Sequence, residues 1–398
     1  MVDLVIVGAG LVGLASAYRL LCVCPRLKII VVEKEMQVGA HQSTHNSGVL
    51  HAGLYYRPNS YKARLAVKGL RLMVQFCAEY GIRYEQCGKV VVATTQGELP
   101  RLHELLERGY ANGLRGIRLL SRDELKEIEP HVDGIAAIHV PEEGIVDYGQ
   151  VCEKLAKLLV DQGAEVRLGA RVYQMKKVSP GWIVLTTAGE FHTRCVICCG
   201  GLHADRLVLA SGDRSPIKIV PFRGEYYRIR REKEYLVKNL IYPVPDSRFP
   251  FLGVHFTRLI GGGVEAGPNA VLALAREGYT WGNVNLKDLF DVATFGGFWR
   301  FVLRHPFMCC YEVYRSFSRS AFCRSLQRLV PEIQQDDLEP GGSGVRAQAM
   351  YPDGRLVEDF YFLERPGILH VLNAPSPAAT ASLAIGEEIA KKVLKQLD

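Results

Sequence analysis

The sequence predicts a two-lobed α/β fold, in which helices pack on a parallel sheet in one lobe and the other lobe is a mostly antiparallel sheet. Three observations carry this prediction. The chain has 398 residues, more than a single hydrophobic core usually holds. Its N-terminal segment alternates an apolar strand, a glycine-rich turn, a helix and a second apolar strand. Residues 221–265 instead contain short strand-like runs.

The N-terminal segment carries a dinucleotide-binding pattern. An apolar strand ends at Val7 and is followed by glycines in the spacing G-x-G-x-x-G. Gly8 permits a tight turn, Gly10 lets a pyrophosphate approach the backbone, and Gly13 lets the helix pack against its strand. Glu33 ends the second strand, where a carboxylate can accept hydrogen bonds from ribose hydroxyls. The segment therefore predicts a Rossmann-like lobe that binds a dinucleotide.

Two later segments are expected at the same carboxyl edge of the sheet. Cys199 and Gly200 end an apolar strand, and paired glycines there allow a ligand to approach the backbone. Small residues also separate the last apolar strand from the final helix: Pro375, Ser376, Pro377 and Ala378. The N-terminus of that helix can stabilise negative charge, which a reduced flavin ring carries and a nicotinamide does not. The pattern favours FAD over NAD, with ordinary strand-to-helix turns as the alternative.

The segment between Gly39 and Gly53 is polar and rich in glycine, although it lies close after the strand that ends in Glu33. Loops of this kind on a rigid scaffold often carry function. His51 follows two apolar residues, and an imidazole pKa near ~6.5 suits proton transfer. A structural histidine bonded to the backbone is the alternative. The further candidates for contact with the cofactor are Lys34, Gln42, Ser43, Thr44, Asn46, Ser47 and Val172.

The predicted lobes are discontinuous in sequence. The dinucleotide-binding lobe is expected to comprise residues 1–83, 143–215 and 335–398, with helices at 62–80, 149–162 and from 378 onwards. A substrate lobe is expected to comprise residues 84–142 and 216–334 and to cover the bound ring. Within it, residues 285–330 predict a helical insert in which aromatic side chains alternate with arginines. Such a segment either lies on an anionic membrane or packs as amphipathic helices on the sheet.

Composition narrows the class of protein. The formal net charge of +7 favours anionic ligands and does not by itself indicate nucleic acid. The 11 cysteines lack the spacing of a zinc site, so we expect reduced thiols of an intracellular protein and no metal. The first strand begins too early for a signal peptide, and no uncharged apolar run reaches about 18 residues. We expect a cytoplasmic protein, with peripheral contact to the cytoplasmic face of the inner membrane as the further option.

Several strings carry a resemblance to a known family: HNSGVLHAGLYYRPNSYKA at 45–63, PFRGEYY at 221–227, LIYPVPD at 240–246, PFLGVHFTR at 250–258, GPNAVLA at 267–273, SGVRAQAMYPDG at 343–354 and NAPSPAATASLAIG at 373–386. Over nearly its whole length, the chain resembles the FAD-dependent oxidoreductases of the D-amino-acid oxidase/glycine oxidase type. Within them it is most similar to the branch that oxidises L-2-hydroxyglutarate. No motif for covalent flavin attachment is present, so we expect acid precipitation to release the FAD.

The resemblance implies oxidation of L-2-hydroxyglutarate to 2-oxoglutarate. Hydride would pass from C2 of the substrate to flavin N5 while a base removes the hydroxyl proton, and the electrons would go on to oxygen or a membrane quinone. His51 is the first candidate for the base and His255 the second. The alternatives are another small α-hydroxy or α-amino acid as substrate, such as malate or glycine, and a non-catalytic dinucleotide-binding redox sensor.

A dicarboxylate substrate calls for fixed cations and donors. Arg346 follows Gly344 and Val345 in a G-x-R segment, which in related flavoenzymes lies near the flavin. A guanidinium grips a carboxylate with two parallel hydrogen bonds. Arg346 is therefore expected to serve the substrate, the catalytic step and the cofactor, and Gly344 the cofactor. Arg223 is expected to hold the second carboxylate, with surface ion pairs as the alternative for both arginines. The candidate pocket donors are Tyr55, Tyr242, His255 and Thr257.

Overall fold

The computed structural model describes residues 1–246 and 253–397, so three residues of the string at 250–258 lie outside the described residues. The described strands are β1 Val2–Val7, β2 Ile29–Val32, β3 Val49–Leu50, β4 Tyr84–Glu85, β5 Lys89–Ala93, β6 Arg118–Ser121, β7 Ala136–Val140, β8 Gly144–Val146, β9 Glu165–Arg167, β10 Val172–Lys177, β11 Trp182–Thr186, β12 Gly189–Cys198, β13 Lys218–Ile229, β14 Leu240–Pro243, β15 His255–Arg258, β16 Val264–Gly267, β17 Val271–Leu272, β18 Leu338–Met350, β19 Tyr361–Arg365 and β20 Ile368–Asn373.

The described α-helices are α1 Leu11–Val23, α2 Tyr61–Tyr80, α3 Leu99–Ala111, α4 Arg122–Ile128, α5 Tyr148–Asp161, α6 Ala204–Ala210, α7 Leu286–Ala293, α8 Gly296–Arg304, α9 Pro306–Phe317, α10 Arg319–Gln327 and α11 Ala378–Leu397. The helices predicted at 62–80, at 149–162 and from 378 are confirmed with shifts of one residue or none at their starts. Short 3₁₀ turns lie at Gln96–Glu98, Gly201–His203, Arg231–Leu236 and Gln335–Asp337.

The first sheet has a parallel centre in the order β20-β12-β1-β2-β9. Strands β10, β11 and β19 extend it in antiparallel pairs. All four residues of β2 and the last four of β1 are buried, as continuous apolar runs in a sheet covered on both faces should be. Helices α1, α2, α5 and α11 pack against one another beside this sheet. The predicted Rossmann-like arrangement is confirmed.

The turn after β1 requires residues without a Cβ. Gly8 has φ +106°, a conformation that residues with a Cβ rarely adopt. A Cβ on Gly13 would collide with the carbonyl oxygen of Gly8, so α1 lies as close to the turn as its backbone permits. The N-terminus of α1 is thereby fixed at the carboxyl edge of the sheet.

The second sheet has the order β17-β13-β16-β15-β14-β5-β7-β6 and is antiparallel except for the pair β14 and β5. Strand β18 also belongs to it, because Leu338 to Met350 pair along β13 from Ile229 to Lys218. The expected boundary of the dinucleotide-binding lobe at residue 335 is wrong, because residues 338–350 belong to the second sheet. Long-range pairing takes β18 into the second sheet, and the first sheet resumes only at β19. A small sheet, β3-β8-β4, forms a third element of the fold.

The predicted insert at 285–330 is helical and consists of α7 to α10. One face is buried: Phe301 packs edge-on against Phe222 of β13, with the ring centroids 6.0 Å apart. Large apolar side chains on the other face are exposed to solvent, namely Leu286, Phe290, Trp299, Leu303, Phe307, Tyr311, Val313, Tyr314 and Phe317. Within residues 1–246 and 253–397, no helix has the length and apolar content needed to cross a membrane.

Candidate active site

A cavity of about 1680 Å³ extends from the carboxyl edge of the first sheet to the second sheet. It is larger than the ~300–1,000 Å³ of a typical ligand pocket, as a site for a dinucleotide together with a substrate should be. Most of the predicted site residues line it: Gly8, Gly10, Gly13, Glu33, Lys34, Gln42, Ser43, Asn46, Ser47, His51, Tyr55, Val172, Cys199, Gly200, Tyr242, His255, Gly344, Arg346, Pro375, Ser376, Pro377 and Ala378. Three predicted residues do not line it: Thr44, Arg223 and Thr257.

One end of the cavity is built from the glycine turn and the N-terminus of α1. The Glu33 carboxylate accepts hydrogen bonds from the backbone N–H of Ala9 at 2.8 Å and of Glu35 at 3.0 Å, which fixes it beside the turn. The Ser43 hydroxyl accepts from the N–H of Leu11 at 2.9 Å, because the N-cap residue of α1, Gly10, has no side chain that could cap the helix. Backbone donors and the positive end of a helix dipole at this edge fit a pyrophosphate.

Side chains in the loop between Gly39 and Gly53 form hydrogen bonds within that loop. Thr44 was expected to contact the cofactor, but its hydroxyl donates to the carbonyl oxygen of Gly39 at 2.7 Å and it does not reach the cavity. The Asn46 side-chain amide donates to the carbonyl oxygens of Gln42 and Ser43, both at 2.9 Å. The polar side chains of this segment therefore stabilise the conformation of the loop, and some of them also line the cavity.

An ion-pair network closes one wall beside this loop. The Lys34 ammonium lies 2.7 Å from a carboxylate oxygen of Glu277 and also contacts Glu35. His203 lies 3.0 Å from the same oxygen of Glu277, and His41 lies 3.0 Å from Glu35. Burial by itself raises the pKa of Glu277, but the hydrogen bonds from His203 and Lys34 outweigh it and lower the pKa to about 2. The lysine thus supplies the positive charge among these carboxylates.

The opposite end of the cavity contains two partly buried cations. Arg346 projects from β18 near Tyr56 and Tyr226, and burial lowers the pKa of its guanidinium. Lys62, in the first turn of α2, also lines the cavity, with its ammonium 5.5 Å from the ring centre of Tyr56. Burial lowers the pKa of Lys62 to about 8 although Asp359 opposes the shift. Lys62 was not among the predicted residues, because a lysine at the start of a helix ordinarily lies in solvent. Its position within the string at 45–63, which carries the family resemblance, could have indicated it.

Arg223 does not occupy the place expected of it. Side chains alternate along β13, and its neighbours Phe222 and Gly224 line the cavity, so Arg223 lies on the other face. It is 1% exposed, pairs with Glu225 at 2.8 Å and lies 4.4 Å from the ring centre of Trp281. Its Nε and one terminal nitrogen therefore bond to Glu225 inside the lobe, while its other terminal nitrogen is buried without a hydrogen-bond partner among the described residues. It is neither the predicted carboxylate ligand nor a surface ion pair.

The two candidate donors on β15 differ in position. His255 lines the cavity, stacks on Tyr242 with ring centroids 3.9 Å apart, and its Nδ1 donates to the Gly253 carbonyl oxygen at 2.9 Å. Burial lowers the pKa of His255 to about 3, so its ring stays neutral. Thr257 is buried against the Tyr242 hydroxyl and does not reach the cavity, which corrects the expectation that it contacts the substrate.

His51 occupies the cavity wall after β3. Its backbone N–H donates to the Thr380 hydroxyl at the start of α11, 3.1 Å away. Its Nδ1 lies 3.5 Å from a carboxylate oxygen of Glu143, and the same oxygen lies 2.6 Å from the Lys89 ammonium. Neither Glu143 nor Lys89 was predicted. The one local signal was a lysine at the head of the apolar run Lys89–Ala93, every residue of which is buried.

Comparison with known proteins places the chain in a family. Residues 3–392 match the family described as FAD dependent oxidoreductase. The L-2-hydroxyglutarate dehydrogenase of Indibacter alkaliphilus is 48% identical over 395 residues, covering 99% of this chain and 99% of its own. The mitochondrial L-2-hydroxyglutarate dehydrogenase of Bos taurus is 46% identical over 409 residues, covering 98% of this chain and 88% of its own.

A solved structure shows the same fold. The dithionite-reduced L-alpha-glycerophosphate oxidase of Mycoplasma pneumoniae with FAD bound has a TM-score of 0.79 and 21% identity, covering 99% of this chain and 94% of its own. The chain belongs to the family of FAD-dependent oxidoreductases. It is an oxidoreductase whose cofactor is FAD, and the fold class predicted from the sequence is confirmed.

Proposed function

We propose that this protein oxidises L-2-hydroxyglutarate to 2-oxoglutarate. The observation that carries the proposal is the pair of partly buried cations, Arg346 and Lys62, in the same cavity as His51 and His255. A dianion that bridges these cations would also stabilise their charged forms, which burial disfavours. The activity named for the two close relatives supports the choice of this diacid over other dianions.

The residues at the glycine-turn end fit the adenosine and pyrophosphate part of FAD. Glu33 would accept from the ribose hydroxyls, and the backbone between Gly8 and Gly13 would hold the pyrophosphate. The segment from Pro375 to Ala378, at the N-terminus of α11, would face the ring, with Gly344 and Arg346 on the opposite lobe. When bound, FAD supplies a hydride acceptor at flavin N5.

The substrate would be held by its two carboxylates. Arg346 offers a planar fork that grips one carboxylate with two hydrogen bonds and so fixes which face of C2 points to the ring. Lys62 replaces Arg223 as the partner of the second carboxylate, because Arg223 faces the interior of its lobe. Tyr55 and Tyr242 line the same cavity and are the remaining candidate donors.

His51 is the better candidate for the base. His255 is a weak base, since burial lowers its pKa to about 3 and its Nδ1 is engaged by the Gly253 carbonyl. His51 lies beside the carboxylate of Glu143, which stabilises a protonated imidazole. The substrate's hydroxyl proton would pass to His51 as hydride leaves C2, which yields the keto acid. His255 would then serve to position the substrate.

Anaerobic mixing tests the proposed function. Excess L-2-hydroxyglutarate should bleach the flavin band at ~450 nm and yield 2-oxoglutarate in a 1:1 ratio to FAD. D-2-hydroxyglutarate, malate and glycine serve as controls and should leave the band in place on the same timescale. A band that persists with L-2-hydroxyglutarate, or that malate or glycine bleaches faster, contradicts the proposal.

Replacing the base should slow chemistry and spare the cofactor. For His51→Ala we expect kcat to fall at least tenfold, within the ~10²–10⁴-fold range of lost general bases, with FAD content unchanged. Stopped-flow reduction and the absorbance ratio of protein to flavin measure the two quantities. Turnover like that of the wild type would remove His51 from the mechanism.

Lys62 should control affinity and its pH dependence. Loss of a charge-assisted bond worth ~1.5–3 kcal/mol predicts a roughly 10- to 100-fold rise in KM for Lys62→Met. Because only the protonated ammonium binds a carboxylate and the pKa of Lys62 is about 8, KM of the wild type should rise as the pH passes that value. Lys62→Arg stays charged and should lose this rise. A KM in Lys62→Met equal to that of the wild type would show that this cation does not bind substrate.

We further propose that the helical insert rests on an anionic membrane and brings the site near a quinone, with oxygen as the other acceptor. The exposed face carries Phe307, Leu303 and Trp299, which are 90%, 77% and 51% exposed. Exposed arginines such as Arg304 lie on the same helices. Aromatic side chains next to arginines suit the interface of an anionic bilayer. The protein would then be cytoplasmic and peripheral on the inner membrane.

Flotation with anionic liposomes tests this contact. The protein should co-migrate at low salt and less at high salt, because the arginine attraction is screened. Phe307→Glu should lose co-migration, whereas Leu209→Glu, an equal charge change at an exposed apolar residue outside the insert, should keep it. Absence of co-migration at low salt, or equal behaviour of the two variants, ends the membrane proposal.

A further inference from the structure

A buried ion pair lies behind the cavity wall. Lys89 and Glu143 are both fully buried, and the ammonium lies 2.6 Å from a carboxylate oxygen. Removing two charges from water costs several kcal/mol per ion, and apolar replacements of such pairs are often no less stable. A contribution to folding stability therefore does not explain why this pair is present, and its surroundings suggest another role.

The ammonium of Lys89 is enclosed by groups that also face the substrate. Its nitrogen lies 4.4 Å from the ring centre of Tyr55 and 4.9 Å from that of Tyr242. Both tyrosines line the cavity. Lys89 starts β5, between Val140 of β7 and Leu240 of β14, so the second sheet fixes its backbone on both sides.

Glu143 joins this cation to the segment that carries the candidate base. One carboxylate oxygen accepts from the backbone N–H of Ala52 at 3.1 Å. The other faces both the Lys89 ammonium and, at 3.5 Å, Nδ1 of His51. Nδ1 of His51 is buried and makes no hydrogen bond within the described residues, which leaves its second nitrogen, Nε2, for the cavity. At 3.5 Å the contact between Nδ1 and Glu143 is longer than an ordinary hydrogen bond, as catalytic hydrogen bonds often are before substrate binds.

We propose that Glu143 is a positioning residue for His51, held in place by Lys89. The carboxylate orients the imidazole with its Nδ1–H towards Glu143 and its Nε2 towards the substrate hydroxyl. When Nε2 takes the hydroxyl proton, Glu143 balances the new positive charge. A base oriented by a third group is a recurrent arrangement in catalysis. This inference rests on the proposed function.

Other ionisable groups surround the arrangement. The groups that act on His51 and Glu143, besides Lys89, are His255, Tyr55, Tyr56, Tyr148 and Tyr242. Burial alone raises the pKa of Glu143, but the Lys89 ammonium, together with the contact to His51, outweighs burial and lowers the pKa to about 2. Glu143 is therefore a carboxylate throughout the pH range in which a histidine titrates.

The test removes both charges together. Glu143→Gln alone leaves the Lys89 charge buried without its partner, so the double variant Lys89→Met/Glu143→Gln is used with FAD bound. We expect kcat for L-2-hydroxyglutarate to fall at least tenfold while KM changes less than threefold. The acidic limb of kcat against pH should move to lower pH, because an imidazolium without its carboxylate loses its proton more easily. Glu143→Asp should keep the limb near its wild-type position.

A matched control separates positioning from burial. Glu129 is also fully buried and accepts from the backbone N–H groups of Lys238 and Asn239 at 3.0 and 2.7 Å, away from the cavity. Glu129→Gln should lower thermal stability and leave the acidic limb unmoved. A double variant with wild-type kcat and an unmoved limb overturns the inference.

A second measurement uses the wild type and so tests the inference even if the double variant does not fold. Nitrogen chemical shifts of the His51 imidazole in the wild type should show the Nδ1–H tautomer above its titration, and the Nε2–H tautomer would overturn the inference. Failure of the proposed function is distinct, since in that case the wild type itself is not reduced by L-2-hydroxyglutarate.

Discussion

Burial of positive charge at one end of the cavity is the constraint on which the rest of the structure depends. A cation taken out of water must be compensated by an anion, or it tends to lose its proton. Lys89 meets this requirement inside the protein through Glu143, and Arg223 does so through Glu225 on the far face of β13. Arg346 and Lys62 line the cavity itself, where burial lowers the pKa of both. The fold thus places some of its buried positive charge in ion pairs inside the protein and some at the cavity wall.

The two lobes contribute different kinds of groups to the cavity. The first sheet and its helices offer backbone donors and glycines, which bind a dinucleotide by shape and dipole. The second sheet contributes side chains with charge or aromatic rings, such as Arg346 and His255. His51 belongs to neither sheet: it follows β3, whose small sheet also contains β8 directly after Glu143. The candidate base therefore lies where the contributions of the two lobes meet.

Local patterns were predictable and long-range ones were not. The glycine turn, Glu33, Cys199 and the segment at 375–378 were found from sequence because a strand, a turn and a helix in succession fix their positions. The errors at Arg223 and Thr257 concern which way a strand residue points, and that depends on pairing with distant strands. The boundary at 335 failed for the same reason, since β18 pairs with β13 more than a hundred residues earlier. Glu143 escaped notice because an acid in a turn has no local sign of burial.

Gly344 lies where β18 packs against the loop between Gly39 and Gly53. A Cβ at this position would collide with the carbonyl oxygen of His45, in the loop between Gly39 and Gly53 that borders the dinucleotide end. Two residues further along the same strand stands Arg346. The backbone of β18 thus rests directly on the backbone of this loop, with no side chain between them to absorb a displacement. Occupancy of one ligand should then be felt by the other as a change in affinity, equal in both directions.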